Sequence, residues 1–373
     1  MTGCGGNRQV GNNDFITVDV AKKYPKKELI LQNFMDVEYI PLETNNEFLC
    51  QGRVLAIGKQ IIIVKNNVND GDIFFFDRKG KGLKKINRMG RSGEDYSFIS
   101  GIILDEDNNE LFVNDHSTQR ILVYDMNGKF IRSFRHKEGA MFDPVFNYDR
   151  NNLICYDFNY YEEGNRQTIM VISKKDGSIT KEIHIPYKEK KSTILIVSAN
   201  DMFYASEPST FHPIIPYQDN WVLTESSSDT VYRLLPDYSI TPFLARTPSI
   251  QSMNPEIFLF PGIFTDRYYF MQVSKKEYDF ATDKGFPGID LMYDKQEKTI
   301  FECVVYNDDY SNKRPISMML KTINTEIAFW QKIEADDLVE SYEKGILKGR
   351  LKEIAAKLEE ESNPVIMLAK YKK

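Results

Sequence analysis

The chain has 373 residues, 42% apolar and 13% aromatic, with 24 Phe, 21 Tyr and only 2 Trp. Its net charge is −6 with an isoelectric point near 5.5, and this acidic balance argues against a nucleic-acid partner, whose footprint would be basic. No apolar run approaches the roughly 18 residues of a membrane-spanning helix, and the Phe and Tyr content leans toward pleated, half-buried strands.

At the start, Thr2-Gly3-Cys4 resembles the last positions of a bacterial lipoprotein processing site, where small residues precede a Cys that becomes acylated. The charged and apolar parts of a signal peptide do not precede it in this sequence. Cys4 is therefore the expected lipidation position. The Gly- and Asn-rich residues 1–14 are the expected tether, and 15–373 one domain. Cys50, Cys155 and Cys303 have no CxxC spacing and read as small buried hydrophobes.

A strand VEYIPLE at 37–43 comes next. Then a unit repeats. In its clearest copy, Gly101–Leu104, Glu110–Val113, Arg120–Asp125 and Lys129–Phe134 are four short strands joined by tight turns. Met126-Asn127-Gly128 supplies one turn, with Gly free to take positive φ. Further copies carry IIIV at 61–64 and Ile73–Asp77, LICYDF at 153–158 and Thr168–Ser173, Trp221–Thr224 and Thr230–Leu235, and Tyr268–Val273 and Gly288–Tyr293. The spacing is about 48 residues at first and nearer 60 later. Four-stranded units at such a period predict an all-β propeller, because one sheet with two apolar faces is stable only against two neighbours. The sixth blade is assembled from both chain ends. EIAFWQK at 326–332 and VIMLAKY at 365–371 are strands, and a helical insert spans about 334–361, with Leu338, Ile346, Leu347, Leu351 and Ile354 at helical spacing. Asn363-Pro364 ends it. Pairing of 37–43 with the C-terminal strand would close the ring.

The unit at 101–134 resembles an NHL repeat, on Asp115, Arg120, Asp125 and Gly128. From EYIPLE through Gly90, Gly93, Glu94 and Tyr96 to the Asn-Pro and final strand, residues 28–373 resemble six-bladed β-propeller lipoproteins of Gram-negative gut-type anaerobes. The later copies lack the NHL glycine. The resemblance implies a six-bladed propeller and a cell-envelope location, as an outer-membrane lipoprotein facing periplasm or surface. It implies no chemistry.

The residues themselves name no reaction. His116, His136, His184 and His212 lack zinc-ligand spacing. No G-x-S-x-G elbow occurs, and GRSGED at 90–95 leads into a strand rather than a helix. Acidic, Asn-rich turns at 65–72, 104–110 and 306–312 have the oxygen ligands calcium needs, but such residues also serve turns. No cofactor is expected, with calcium the one candidate. Ligand contacts are expected from Arg53, Arg91, Tyr96, Phe98, Tyr160, Tyr161 and His212, in loops that can stack on or charge-pair with a ligand. The leading expectation is a lipid-anchored binding protein for a glycan, peptide or envelope protein. The alternatives are a metal-dependent hydrolase or lactonase in the channel, a structural scaffold, and a partner-docking role for the insert helix.

Overall fold

The computed structural model describes residues 15–158, 168–199, 202–280, 282 and 284–372. It is a six-bladed β-propeller. Blade 1 comprises Arg53–Ile57, Ile61–Lys65, Asp72–Asp77 and Gly82–Asn87; blade 2 comprises Ile99–Asp105, Glu110–Asp115, Arg120–Asp125 and Phe130–Arg135. Blade 3 runs from Phe142–Asn147 to Ile179–Ile183, blade 4 from Ile214–Tyr217 to Ile240–Thr247, and blade 5 from Ile257–Phe264 to Thr299–Asn307. Blade 6 has three paired strands instead of four: Ile327–Ile333, Val365–Tyr371 and the N-terminal Met35–Pro41. The expected clasp is there, antiparallel, with Val37 opposite Ala369 and Pro41 opposite Val365.

The middle strands are continuous apolar runs because each of their faces meets a different neighbour. Along a strand, successive side chains point to opposite faces. Ile62, Val64, Phe74 and Phe76 pack on Ile366 and Leu368 of blade 6. The alternate residues Ile63, Ile73 and Phe75 pack on Leu111, Val113 and Leu122 of blade 2. The same parity splits Phe112 from Val113 and Cys155 from Ile154 around the ring. Cys50, Cys155 and Cys303 are buried free thiols, and burial raises each thiol pKa.

Three features were not read from the sequence. First, Ile16–Asp19 adds a parallel fifth strand outside blade 4, and Lys26–Ile30 adds one outside blade 5, before the chain enters blade 6. The N-terminal segment thus girdles three consecutive blades. Second, the insert is two helices, α1 (Ala335–Glu343) and α2 (Gly349–Ala355), not one. Gly345 takes φ +67 and its N–H bonds back to Tyr342 O, a left-handed stop that no helix interior accommodates. Leu338, Leu351 and Ile354 are buried against blades 5 and 6, so the apolar stripe is core and not a free partner-docking face. Third, two hairpins stand outside the blades: Leu195–Ala199 with Met202–Ser206, and Tyr278–Asp279 with Lys284–Gly285. Their rings meet, with Tyr204 and Tyr278 centroids 5.3 Å apart.

Candidate functional site

Inner strands and the stretch before blade 6 line a central cavity of about 920 Å³. Arg53 opens the inner strand of blade 1, Gly101 lies early in that of blade 2, and Asp143 lies early in that of blade 3. The irregular residues 320–326 line the cavity where blade 6 lacks a fourth strand. At one end the rim consists of first-to-second-strand turns, with Lys59 paired to Asp107 at 3.3 Å.

Part of the cavity wall is aromatic. Phe146, Tyr148, Trp221 and Trp330 line it, so both tryptophans of the chain face this space. Trp221 lies 5.7 Å from Phe146 and stacks on Tyr148 at 6.0 Å and 25°. Such faces accept flat or ring-shaped ligands.

Carboxylates outnumber cations in the lining, and among these charged groups Arg53, Lys321 and Asp143 lie close enough to influence one another. Among the described residues none of the three makes a direct hydrogen bond or ion pair. Lys321 Nζ instead sits 5.2 Å from the Phe146 ring centroid. Burial pushes the Lys321 ammonium pKa down, Asp143 opposes that shift and Arg53 adds to it. Burial pushes the Asp143 carboxyl up, against the pull of Lys321, His116 and Arg53. Asp143 is half-buried and Lys321 is exposed to the open channel.

The expected ligand residues divide. Arg53 is in the cavity. His212 stands beside it, its Nε2–H donating to Met319 O at 2.8 Å, and burial lowers its pKa with Lys321 adding to the effect. Phe98 is exposed and does not line the cavity; it lies edge-on to His116 at 5.9 Å, with Lys65 Nζ 5.8 Å from its ring. His116 in turn stacks on Phe158 at 5.9 Å. Arg91 is exposed in the loop joining blades 1 and 2 and does not line the cavity. Tyr96 is buried. Its hydroxyl donates to Gly71 O at 2.7 Å and accepts from Arg88 N at 2.8 Å, so it pins the 88–96 loop and has no group left for a ligand. Tyr160, Tyr161 and Cys4 lie outside the described residues.

The sequence reading missed Asp143, Phe146, Trp221, Trp330 and Lys321. Four of them sit on or beside strand patterns, where polar or aromatic residues look like ordinary strand positions. Lys321 sits in an unpatterned linker and carries no local signal.

The calcium-like turns consume their own carboxylates. Asp105 pairs with Lys174 at 2.6 Å and accepts from Asn108; Asp70 accepts from Asn66 Nδ2 and Asp72 N; Asp309 accepts from Tyr39 Oη and Gln32 Nε2. Among the described residues no three His, Cys, Asp or Glu side chains converge as a metal site would require.

A family model described as 6-bladed beta-propeller, DUF5128, matches residues 7–329. The chain belongs to this family. No curated protein matches it. Among solved structures, a Bacteroides fragilis protein described as a candidate exported protein is 15% identical, with a TM-score of 0.64, over 96% of this chain and 100% of that one. A member of the DUF4221 family from Bacteroides vulgatus is 12% identical with a TM-score of 0.43, over 72% of this chain and 86% of that one. Virginiamycin B lyase from Staphylococcus aureus is 12% identical with a TM-score of 0.38, over 91% of this chain and 100% of that one. At these identities the likeness is one of fold alone.

Proposed function

We propose that this DUF5128 propeller is a lipid-anchored binding protein of the cell envelope, taking a small ligand in its central channel. The observation that carries the channel reading is the 920 Å³ cavity, lined by both tryptophans and by a mixture of charged and polar groups. Ligand pockets are concave, largely apolar, and furnished with a few polar groups that fix orientation. The metal-hydrolase alternative has less support, because among the described residues no three His, Cys, Asp or Glu side chains converge on one point. The envelope address rests on Cys4 and its small-residue context, and on the description of the Bacteroides fragilis structure as an exported protein.

Two measurements test this reading. A ligand at 100 times its Kd raises stability by about 2.7 kcal/mol, so a thermal-shift screen of saccharides and peptides should find it. Gly101 lines the cavity, and a Cβ built there meets nothing within 4 Å. Gly101→Phe should therefore plug the channel while leaving the melting temperature near that of the unmodified chain. Ligand response that survives the plug would place binding elsewhere. For the anchor, protein expressed with a secretory leader ahead of Cys4 should partition into detergent, and Cys4→Ala should release it. Aqueous partitioning of both forms would overturn the lipoprotein reading.

A further inference from the structure

Blade 5 opens into a fork. Its third strand, Gly288–Asp294, stays paired with Tyr268–Lys275 from Gly288 to Asp294. Its pairing with the fourth strand, Thr299–Asn307, stops at Leu291 opposite Glu302. Beyond that point the fourth strand takes a different neighbour, with Val305 opposite Ile316. Asp290 and Cys303 are left on the two sides of a gap, and a second cavity of about 300 Å³ occupies it. The segment Pro315–Met319 also lines this cavity, and the chain then enters the channel lining at Leu320. The two cavities share no lining residue. The inside of the fork is apolar: Phe270, Met271, Leu291, Cys303, Met318 and Met319 line it and are buried. Methionine is flexible and polarisable, so three of them can close on ligands of different outline. Val304 and Ser317 are exposed and mark the opening to solvent.

A single charged residue lines this space, Asp290. It is half-buried, and its Oδ1 accepts from Gln272 Nε2 at 2.7 Å. Gln272 Oε1 in turn accepts from Thr210 Oγ1 at 2.8 Å, which fixes the amide that holds the carboxylate. Among the described residues no cation pairs with Asp290, and burial pushes its carboxyl pKa up against the Gln272 bond. Asp105, Glu110 and Asp294 are also sheltered, and each has a lysine or arginine. A ligand that meets both features of the fork has an apolar body and a cationic end. Its body would displace water from the Met and Phe surface, and its ammonium would give Asp290 the counter-charge that the fold does not supply. Pockets of roughly 300 Å³ stand at the small end of those that hold ligands. We propose that the fork in blade 5 is a second ligand site, taking a small primary amine whose ammonium pairs with Asp290 and whose aliphatic or aromatic part lies among Met271, Met318 and Met319.

The test uses the full chain, carbon-13 labelled at its methionine methyls, and three probes of like shape: phenethylamine, phenethyl alcohol and phenylpropionate. The ring of a bound probe should shift the methyl signals of Met271, Met318 and Met319 and leave that of Met89, exposed after blade 1, in place. Titration should rank the amine roughly tenfold or more above the alcohol, with the carboxylate weakest. Asp290→Asn keeps an oxygen for Gln272 Nε2 to donate to. It should bring the amine down to the affinity of the alcohol and leave the alcohol unchanged. Val304→Trp puts a large ring at the exposed mouth and should weaken amine and alcohol together. The site is overturned if no probe moves the three methyl signals, or if amine and alcohol bind the unmodified chain alike; neither result depends on a variant that folds. It is also overturned if Asp290→Asn binds the amine unchanged. Amine binding lost in Gly101→Phe and kept in Val304→Trp would assign it to the channel and overturn the fork.

Discussion

Asn363 shows how much one side chain can hold in this ring. It is buried, its Oδ1 accepts from Cys50 N at 2.8 Å, and its Nδ2 donates to Glu43 O and Phe48 O. These bonds tie the connector between the clasp and blade 1 to the start of the last strand. Asn363→Ala leaves buried backbone groups without partners and should cost about 3 kcal/mol, read as a lower urea midpoint. His136 is a second such residue. It is buried between Asn114 Oδ1 and Phe142 N, and burial holds its pKa at about 4. Its folded pKa lies below the unfolded value near 6.5. The unfolded chain therefore takes up this proton first, and stability should fall as pH drops from about 6.5 to about 4, by about 3 kcal/mol. The slope of unfolding free energy in that window should flatten in His136→Gln, whatever its absolute stability. Asp294 acts lower on the scale. Burial would raise its carboxyl pKa, but Arg267 and Lys27 outweigh it and hold it at about 2. Its contribution is complete above the unfolded carboxylate pKa and is lost as pH falls through about 2.

Elements of the ring differ in how they are secured. The two outer N-terminal strands are joined to blades 4 and 5 on one edge only, whereas Met35–Pro41 completes blade 6. Removal of residues 1–30 should lower the melting temperature and leave a closed ring. Removal through Pro41 should open it, because Val365–Tyr371 then loses its outer partner and exposes an apolar strand edge, read as aggregation by light scattering. In the insert, Gly345 sits at φ +67 and a Cβ there meets nothing within 4 Å. Gly345→Ala should cost only the backbone term, about 1 kcal/mol, because no steric clash accompanies it.

Across the whole molecule, the middle strands hold the ring together and the inner strands leave a space at its centre. Alternate residues of each middle strand fill successive blade interfaces, so each blade is stable only through its neighbours. The inner strands border a space too wide for side chains to fill, which Arg53, Asp143 and Trp330 line from inner strands and Trp221 from the second strand of blade 4. Asp143 and Lys321 contribute no paired contact to the fold. Substituting either should shift the melting temperature far less than substituting Asn363, while changing what the channel accepts.

The repeat of short apolar runs and Gly turns, together with the strands at the two chain ends, was enough to specify a closed six-bladed ring. Strand parity and turn chemistry are local properties, and a sheet with two apolar faces has few ways to bury both. Arg53 was legible as a residue of the channel for a similar reason, since it lies where an inner strand begins, whereas His212 and Phe98 do not line the cavity. The tertiary structure alone decided three things. The N-terminal girdle depends on which blade edges are open, a long-range fact with no local pattern. The split of the insert into α1 and α2 rests on Gly345 at positive φ and on the residues just after it, where Ile346 O accepts from Ser311 N and Leu347 bridges to Tyr310, contacts made across the fold. The convergence of Asp143, Lys321, Trp221 and Trp330 joins residues up to 187 positions apart in sequence, brought together because four segments meet at one axis. Sequence spacing carries the period of the ring, and only closure of the ring determines what faces its centre.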